Sequence, residues 1–308
     1  MPLDHTARGV FPIAPTPFDS DGRIDFASIE RLTAFYRDIG SDGMTVLGVL
    51  GEAPKLDGAE ALDVARCFIR AAGALPVIVG VSAPGFAAMR SLAVASMEAG
   101  AAGVMIAPPN TLRTDDQIAA YYRGAADAIG PGIPWVIQDY PLNFSVVMSP
   151  GVIRRIVDDN PACVMLKHED WPGLEKISAL RAAEQAGGRP ISILCGNGGL
   201  FLDFETERGA SGAMTGYAFP DMLVDVVSLQ AEGCRDAAHD LFDAHLPLLR
   251  YEQQPGVGLA VRKYVMARRG LIASDTQRNP RAGLSATARN EIEYLLARLS
   301  TRDMRAGC

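Results

Sequence analysis

Lysine is scarce in this 308-residue chain: Lys55, Lys167, Lys176 and Lys263 are four of its 29 basic residues, and all the others are arginine. A sequence so biased writes arginine wherever positive charge alone suffices. Its few lysines are therefore candidates for chemistry that needs an amine able to lose its proton, which a guanidinium cannot do. Positive charge is itself in deficit, with a net charge of −7 and a pI near 5.2. That balance argues against nucleic acid or an anionic membrane surface as a partner. No apolar run reaches the roughly 18 residues of a membrane span. Residues 1–9 lack the apolar stretch of a signal peptide, so a cytoplasmic location is expected. Cys67, Cys163, Cys195, Cys234 and Cys308 are odd in number and show no C-x-x-C spacing, and His5, His168, His239 and His245 show no H-E-x-x-H or facial-triad spacing. These absences argue against a disulfide framework and a structural zinc, and no metal site is expected.

What the chain does have is apolar residues, 48% of the total, set in a regular alternation. Short apolar runs at 10–14, 43–47, 77–81, 103–107, 135–139, 163–167, 191–195 and 212–215 predict strands. Amphipathic segments at 26–39, 60–72, 87–99, 115–129, 150–158, 174–186, 200–208 and 220–232 predict the helices between them. Eight strand–helix units predict an α/β fold closed as a (β/α)8 TIM barrel. An open doubly wound sheet fits less well, since no G-x-G-x-x-G follows the first strand. After Glu232 the strand pattern stops, and 235–250, 257–269 and 286–299 read as three further helices. The expectation is a barrel over 1–233 and a helical extension over 234–308 that packs on the barrel or builds a subunit interface.

Barrels of this kind place their chemistry at the C-terminal ends of the strands. The sixth strand runs Cys163-Val164-Met165-Leu166 straight into Lys167-His168-Glu169. With a period of two, Cys163, Met165 and Lys167 share one face and Glu169 continues it, which brings an amine and a carboxylate to the barrel mouth. An amine desolvated by an apolar barrel shifts toward its neutral form, the form that attacks a ketone to give a Schiff base. The competing reading is a lysine that ends a strand in solvent or pairs with Glu169 or Asp170. His168 has the opposite parity and is expected between sheet and helices. Phosphate binding by Gly196-Asn197-Gly198-Gly199 competes with a plain tight turn there. A pyridoxal-phosphate lysine lacks a cofactor-pocket pattern, and a Ser or Cys triad lacks a placed histidine.

Several motifs resemble the N-acetylneuraminate lyase and dihydrodipicolinate synthase superfamily over essentially the whole chain. They are T-P-F at Thr16 to Phe18, G-V-L-G-E at Gly48 to Glu52, the sixth-strand Lys167, and the glycine-rich segment 209–215. The resemblance implies a Schiff-base lyase acting on pyruvate or another 2-oxo acid, with no metal or organic cofactor, assembled as a homodimer or homotetramer. Where family synthases carry two hydroxyl residues, this chain has Val49 and Leu50, so backbone N–H groups of Val49, Leu50 and Gly51 are left to hold a substrate carboxylate. Gln138 stands where the proton-relaying tyrosine is expected, Asn143 where an arginine follows it, and Pro109-Asn110 where paired tyrosines stand. The chain is more similar to the 2-keto-3-deoxy-arabonate dehydratase branch, matched by Gln138-Asp139, by Glu169, by Gly212 to Gly216 and by Phe219 to Asp221. This implies catalytic roles for Lys167, Glu169 and Gln138, and substrate contacts at Asn197, Met214 and Thr215. Lys167 would form the imine and Glu169 would move a proton at C3. Gln138 and Asn197 would hold hydroxyls or serve as scaffolding.

Two questions stay open at this level. The same imine leads to water loss or to retro-aldol cleavage, and a chain lacking the family tyrosine and threonines could instead bind oxo acids silently, as a sensor. Tyr140 and Trp135 line the site or pack behind it. Tyr251, Glu252 and Gln253 reach the site, a neighbouring subunit or neither.

Overall fold

The computed structural model describes residues 2–307; Met1 and Cys308 lie outside the described residues. The chain opens with β1 (Gly9–Val10), α1 (Phe26–Asp38), β2 (Met44–Val46), α2 (Gly58–Ala72), β3 (Val77–Gly80) and α3 (Phe86–Glu98). It continues with β4 (Gly103–Ile106), α4 (Asp115–Ile129), β5 (Trp135–Asp139), a single turn α5 (Pro141–Phe144), α6 (Pro150–Asp159) and β6 (Cys163–His168). Then come α7 (Leu174–Gln185), β7 (Ser192–Cys195), α8 (Leu202–Glu207), β8 (Gly212–Ala213) and α9 (Pro220–Ala231). The strands pair in parallel in the order β1-β8-β7-β6-β5-β4-β3-β2. A bridge between Ile13 and Thr45 closes the ring from β1 back to β2. The expected (β/α)8 barrel is the observed fold.

Local chemistry explains the element boundaries. Asp57 and Glu60 cap the start of α2 reciprocally, and Thr114 and Gln117 do the same for α4. Ser149 caps α6 ahead of Pro150, and Ser285 caps the last helix. The first strand is shorter than the apolar run because Pro12 has no N–H to give a ladder. Its flanks still pair, Phe11 N–H to Ala213 O at 2.8 Å and Ile13 N–H to Thr215 O at 2.9 Å.

The strands separate two apolar regions. Phe11, Ile13, Ile78, Met105, Val136, Met165, Leu194 and Met214 fill the barrel interior, with Leu3 against its lower end. The opposite faces of the strands pack under the helices, where α1 for example buries Ile29, Leu32 and Tyr36 completely or nearly so. Each such side chain contributes roughly 1.5–3 kcal/mol by leaving water.

Parity is broken once, in β6. Trp135 pairs with Cys163, but Val136 pairs with Met165, so Val164 is an extra residue opposite no partner. Cys163 consequently packs with the helix-side core while Met165 lies inside the barrel. The expectation that Cys163, Met165 and Lys167 share one face is thus corrected for Cys163: the bulge inverts the alternation before Met165, and the hydrophobic period alone carries no sign of it.

Beyond α9 the chain forms α10 (Arg235–Glu252), α11 (Gly258–Arg268) and α12 (Ala286–Leu299), the three-helix extension expected. Here α10 packs on α9, and α12 packs on α10. Lys263 on α11 ties the extension to the barrel: its Nζ donates to Thr16 O at 2.8 Å, to Thr276 O at 2.9 Å and to the Glu52 carboxylate. Among the described residues no helix is long and apolar enough to cross a membrane.

Candidate active site

Lys167 ends the inward face of β6 and is 3% exposed. Its Nζ lies 3.0 Å from Glu169 Oε2. The N–H of Glu169 still bonds to Asp139 O at 2.8 Å, so the ladder runs one residue past the strand and keeps Glu169 on the same side as Lys167. Gln138, paired with Lys167 across β5 and β6, donates from Nε2 to Glu169 Oε2 at 2.8 Å. The backbone N–H of Asn197 donates to Glu169 Oε1 at 3.3 Å. The sequence-predicted trio is one hydrogen-bonded cluster, 2–5% exposed. The amine does not stand alone in an apolar barrel, as desolvation by itself implied. It is ion-paired with a carboxylate.

Gly196, absent from the expected set except as part of a turn, is what admits that carboxylate. A Cβ at 196 would lie 2.1 Å from Glu169 Cγ. Asn197, Gly198 and Gly199 follow with φ of 50°, 73° and 78°, and the turn reading of this loop is sufficient. Asn197 lines a cavity of about 300 Å³ together with Trp171, Phe201 and Arg208. That cavity lies between the β6–α7 and β7–α8 loops, and Lys167, Glu169 and Gln138 are not among its lining residues.

The remaining predicted contacts separate. Val49, Leu50 and Gly51 form one turn of 3-10 helix after β2, and Val49 is 38% exposed. Glu52 leaves the turn at φ 54° and is buried between Lys263 and Lys55. The G-V-L-G-E motif thus anchors a loop in which the Gly51 N–H is already given to Gly48 O at 3.0 Å, so of the three expected donors Val49 and Leu50 remain. Met214 is in the interior apolar cluster below Lys167. Thr215 has the other parity, and its methyl lies beside Gly199. Trp135 is fully buried on the helix side, stacked on Tyr122 at 5.6 Å, so it packs and does not line the site. Tyr140 is half-buried, and burial, with Glu169 adding to it, pushes its phenol up to about 12.

His168 points the other way, as its parity predicts, and is completely buried. Its Nδ1 is 3.4 Å from Glu205. With Cys195 these two form a group of three potential metal donors within 4.8 Å, on the outer face of the sheet. Burial and the neighbouring Glu205 raise the Cys195 thiol well above its usual range. Cys67, Cys163 and Cys195 are buried and Cys234 is exposed, all as free thiols.

Comparison with known proteins identifies the fold's relatives. Residues 6–299 match the model of the dihydrodipicolinate synthetase family. The chain belongs to that family. It is a lyase, as members of the family are. An L-2-keto-3-deoxyarabonate dehydratase from Azospirillum brasilense is 32% identical over 298 residues, 95% of this chain and 94% of that one. A 4-hydroxy-tetrahydrodipicolinate synthase from Bifidobacterium longum is 25% identical over 299 residues, 94% of each chain. Among solved structures, a dihydrodipicolinate synthase from Rhodopseudomonas palustris superposes with a TM-score of 0.96 at 67% identity, covering 97% of this chain and 99% of that one.

Proposed function

We propose that the protein is a Schiff-base dehydratase of a 2-keto-3-deoxy sugar acid. The observation that carries this reading is the Lys167–Glu169–Gln138 cluster, in which an amine and a carboxylate share one buried face at 3.0 Å. In the proposed sequence Glu169 accepts the Lys167 proton, and the freed amine attacks the C2 carbonyl. Glu169 gives that proton to the carbinolamine hydroxyl, which leaves as water, and the resulting iminium acidifies C3–H. Glu169 takes the C3 proton, leaving an enamine, and returns it to the C4 hydroxyl, which departs as water. Hydrolysis of the conjugated imine releases the dehydrated oxo acid and the free lysine. The net change is loss of one water.

Gln138 fixes the carboxylate through Nε2, leaving its amide oxygen to accept from a substrate hydroxyl, as Asn197 also would. The backbone N–H groups of Val49 and Leu50 receive the substrate carboxylate, while Met214 shapes the floor beneath it. No resident metal or organic cofactor takes part, so dialysis against chelator leaves turnover intact. We place the enzyme in the cytoplasm as a homodimer or homotetramer, which sedimentation measures directly.

The second reading, a pyruvate-dependent aldolase or 4-hydroxy-tetrahydrodipicolinate synthase, is favoured by the description of the 67%-identical R. palustris chain. Against it stand Gln138, Asn143 and Leu50 at the positions where the synthase chemistry uses other side chains. Incubation with 2-keto-3-deoxy acids separates the two. A product lighter by one water, with no pyruvate, supports the dehydratase, and pyruvate release supports the aldolase. Condensation of pyruvate with aspartate semialdehyde supports the synthase. A borohydride-trapped adduct without turnover on any oxo acid would mark a silent binding protein.

A further inference from the structure

Arg262, on α11, is 2% exposed and has one arm of its guanidinium unused. Its Nε donates to Glu252 and its Nη2 to the carbonyl oxygen of Gly216, but the buried Nη1 has no hydrogen-bond partner. A buried N–H without an acceptor is rare and costly in a folded protein. Its direction follows from β8. Met214 points into the barrel, so the position two residues on, Gly216, faces the mouth. A Cβ at 216 would lie 2.0 Å from Arg262 Nη1 and 2.7 Å from Leu50 Cδ1. The guanidinium therefore fills the place of a missing mouth-facing side chain, next to the loop that follows β2.

We infer that Arg262 Nη1 receives the carboxylate of the 2-oxo acid held at Lys167, beside the 49–51 backbone. This assignment rests on the imine reading above and deepens it. The neighbouring side chains, Val49 and Leu50, offer no hydroxyl, so a fixed cationic donor supplies what they lack. Glu252 neutralises the guanidinium from behind, which lets the arginine wait buried and still offer a charge-assisted hydrogen bond in front. The consequence is selectivity for a free acid at C1 over an ester, amide or neutral ketone.

The test is borohydride trapping at Lys167 with pyruvate and with hydroxyacetone, a ketone without a carboxylate. The wild type is compared with Arg262→Gln combined with Glu252→Gln, which leaves no buried carboxylate unpaired. The expected result is a roughly 100-fold rise in the pyruvate concentration for half-maximal adduct, the size of one lost charge-assisted bond. Hydroxyacetone trapping stays as in the wild type. Equal losses with both ketones, or no change with pyruvate, overturn the assignment. Arg262→Lys is the second variant, should the first fold poorly: an intermediate pyruvate response supports the assignment, and a wild-type response overturns it. If the wild type itself gives no adduct at Lys167, the imine reading falls and takes the assignment with it. An adduct unaffected by both variants removes the role of Arg262 alone.

Discussion

Two lysine–carboxylate pairs lie on opposite faces of the same two strands. Inside the barrel, Lys167 meets Glu169 at 3.0 Å beneath an amide from Gln138. Outside it, one residue further along each strand, Asp139 and His168 face the helices, and Lys176 from α7 sits between Asp139 at 2.8 Å and Asp170 at 2.5 Å. Both lysines are buried, and both have carboxylates within contact distance. They differ in what else can reach them. The inner pair stands where the strands end at the barrel mouth. The outer pair is sealed between sheet and helix, where a charge network fixes α7 against β5. A shift of one residue in parity therefore separates the lysine to which we assign the chemistry from one that holds a helix.

The sharpest way to break that comparison is to exchange the inner lysine. Lys167→Arg keeps the charge and removes the nucleophile, so turnover is expected to fall by roughly 10⁴-fold or more, with no borohydride adduct. A variant with normal rate would make the two pairs equivalent. Glu169→Gln should leave the adduct obtainable but slow turnover by roughly 10²–10⁴-fold, as measured by steady-state kinetics. Lys176→Met is the outer counterpart: stability is expected to drop by about 3–5 kcal/mol in urea unfolding, because a buried carboxylate loses its partner. The Lys167 adduct should still form in that variant.

The outer pair should also show itself in pH. Burial, against the opposing pull of Lys176, raises Asp139 from 3.8 to about 6. Between those values the unfolded chain has released a proton that the folded chain keeps, so stability falls as pH rises through this window. The stability of the wild type relative to Asp139→Asn, from urea midpoints, is expected to fall by roughly 3 kcal/mol across this window. The smallest effect belongs to Gln138→Leu, which removes one hydrogen bond to Glu169. Turnover is expected to drop about 10-fold, with the adduct unaffected.

Much of this was readable beforehand. The eight strand–helix units, the three C-terminal helices and the inward parity of Lys167 and Glu169 follow from periodicity, and they stand where the periodicity puts them. The rarity of lysine pointed correctly to residues with special placement, though not to one role. Lys176 and Lys263 are buried as structural ties, and burial pulls Lys263 down to about 8. The bulge at Val164, the carboxylate-admitting Gly196 and the placement of Arg262 against Gly216 were not readable, because each depends on which residue a distant segment brings alongside.

The order of apolar and polar residues was enough to specify a closed barrel and the face on which its sixth strand carries an amine, since burial and the two-residue strand period act locally. Which lysine merely anchors a helix and which arginine of the extension comes to lie against Gly216 were decided by three-dimensional closure. Those contacts join residues tens of positions apart, and no local pattern encodes such a distance.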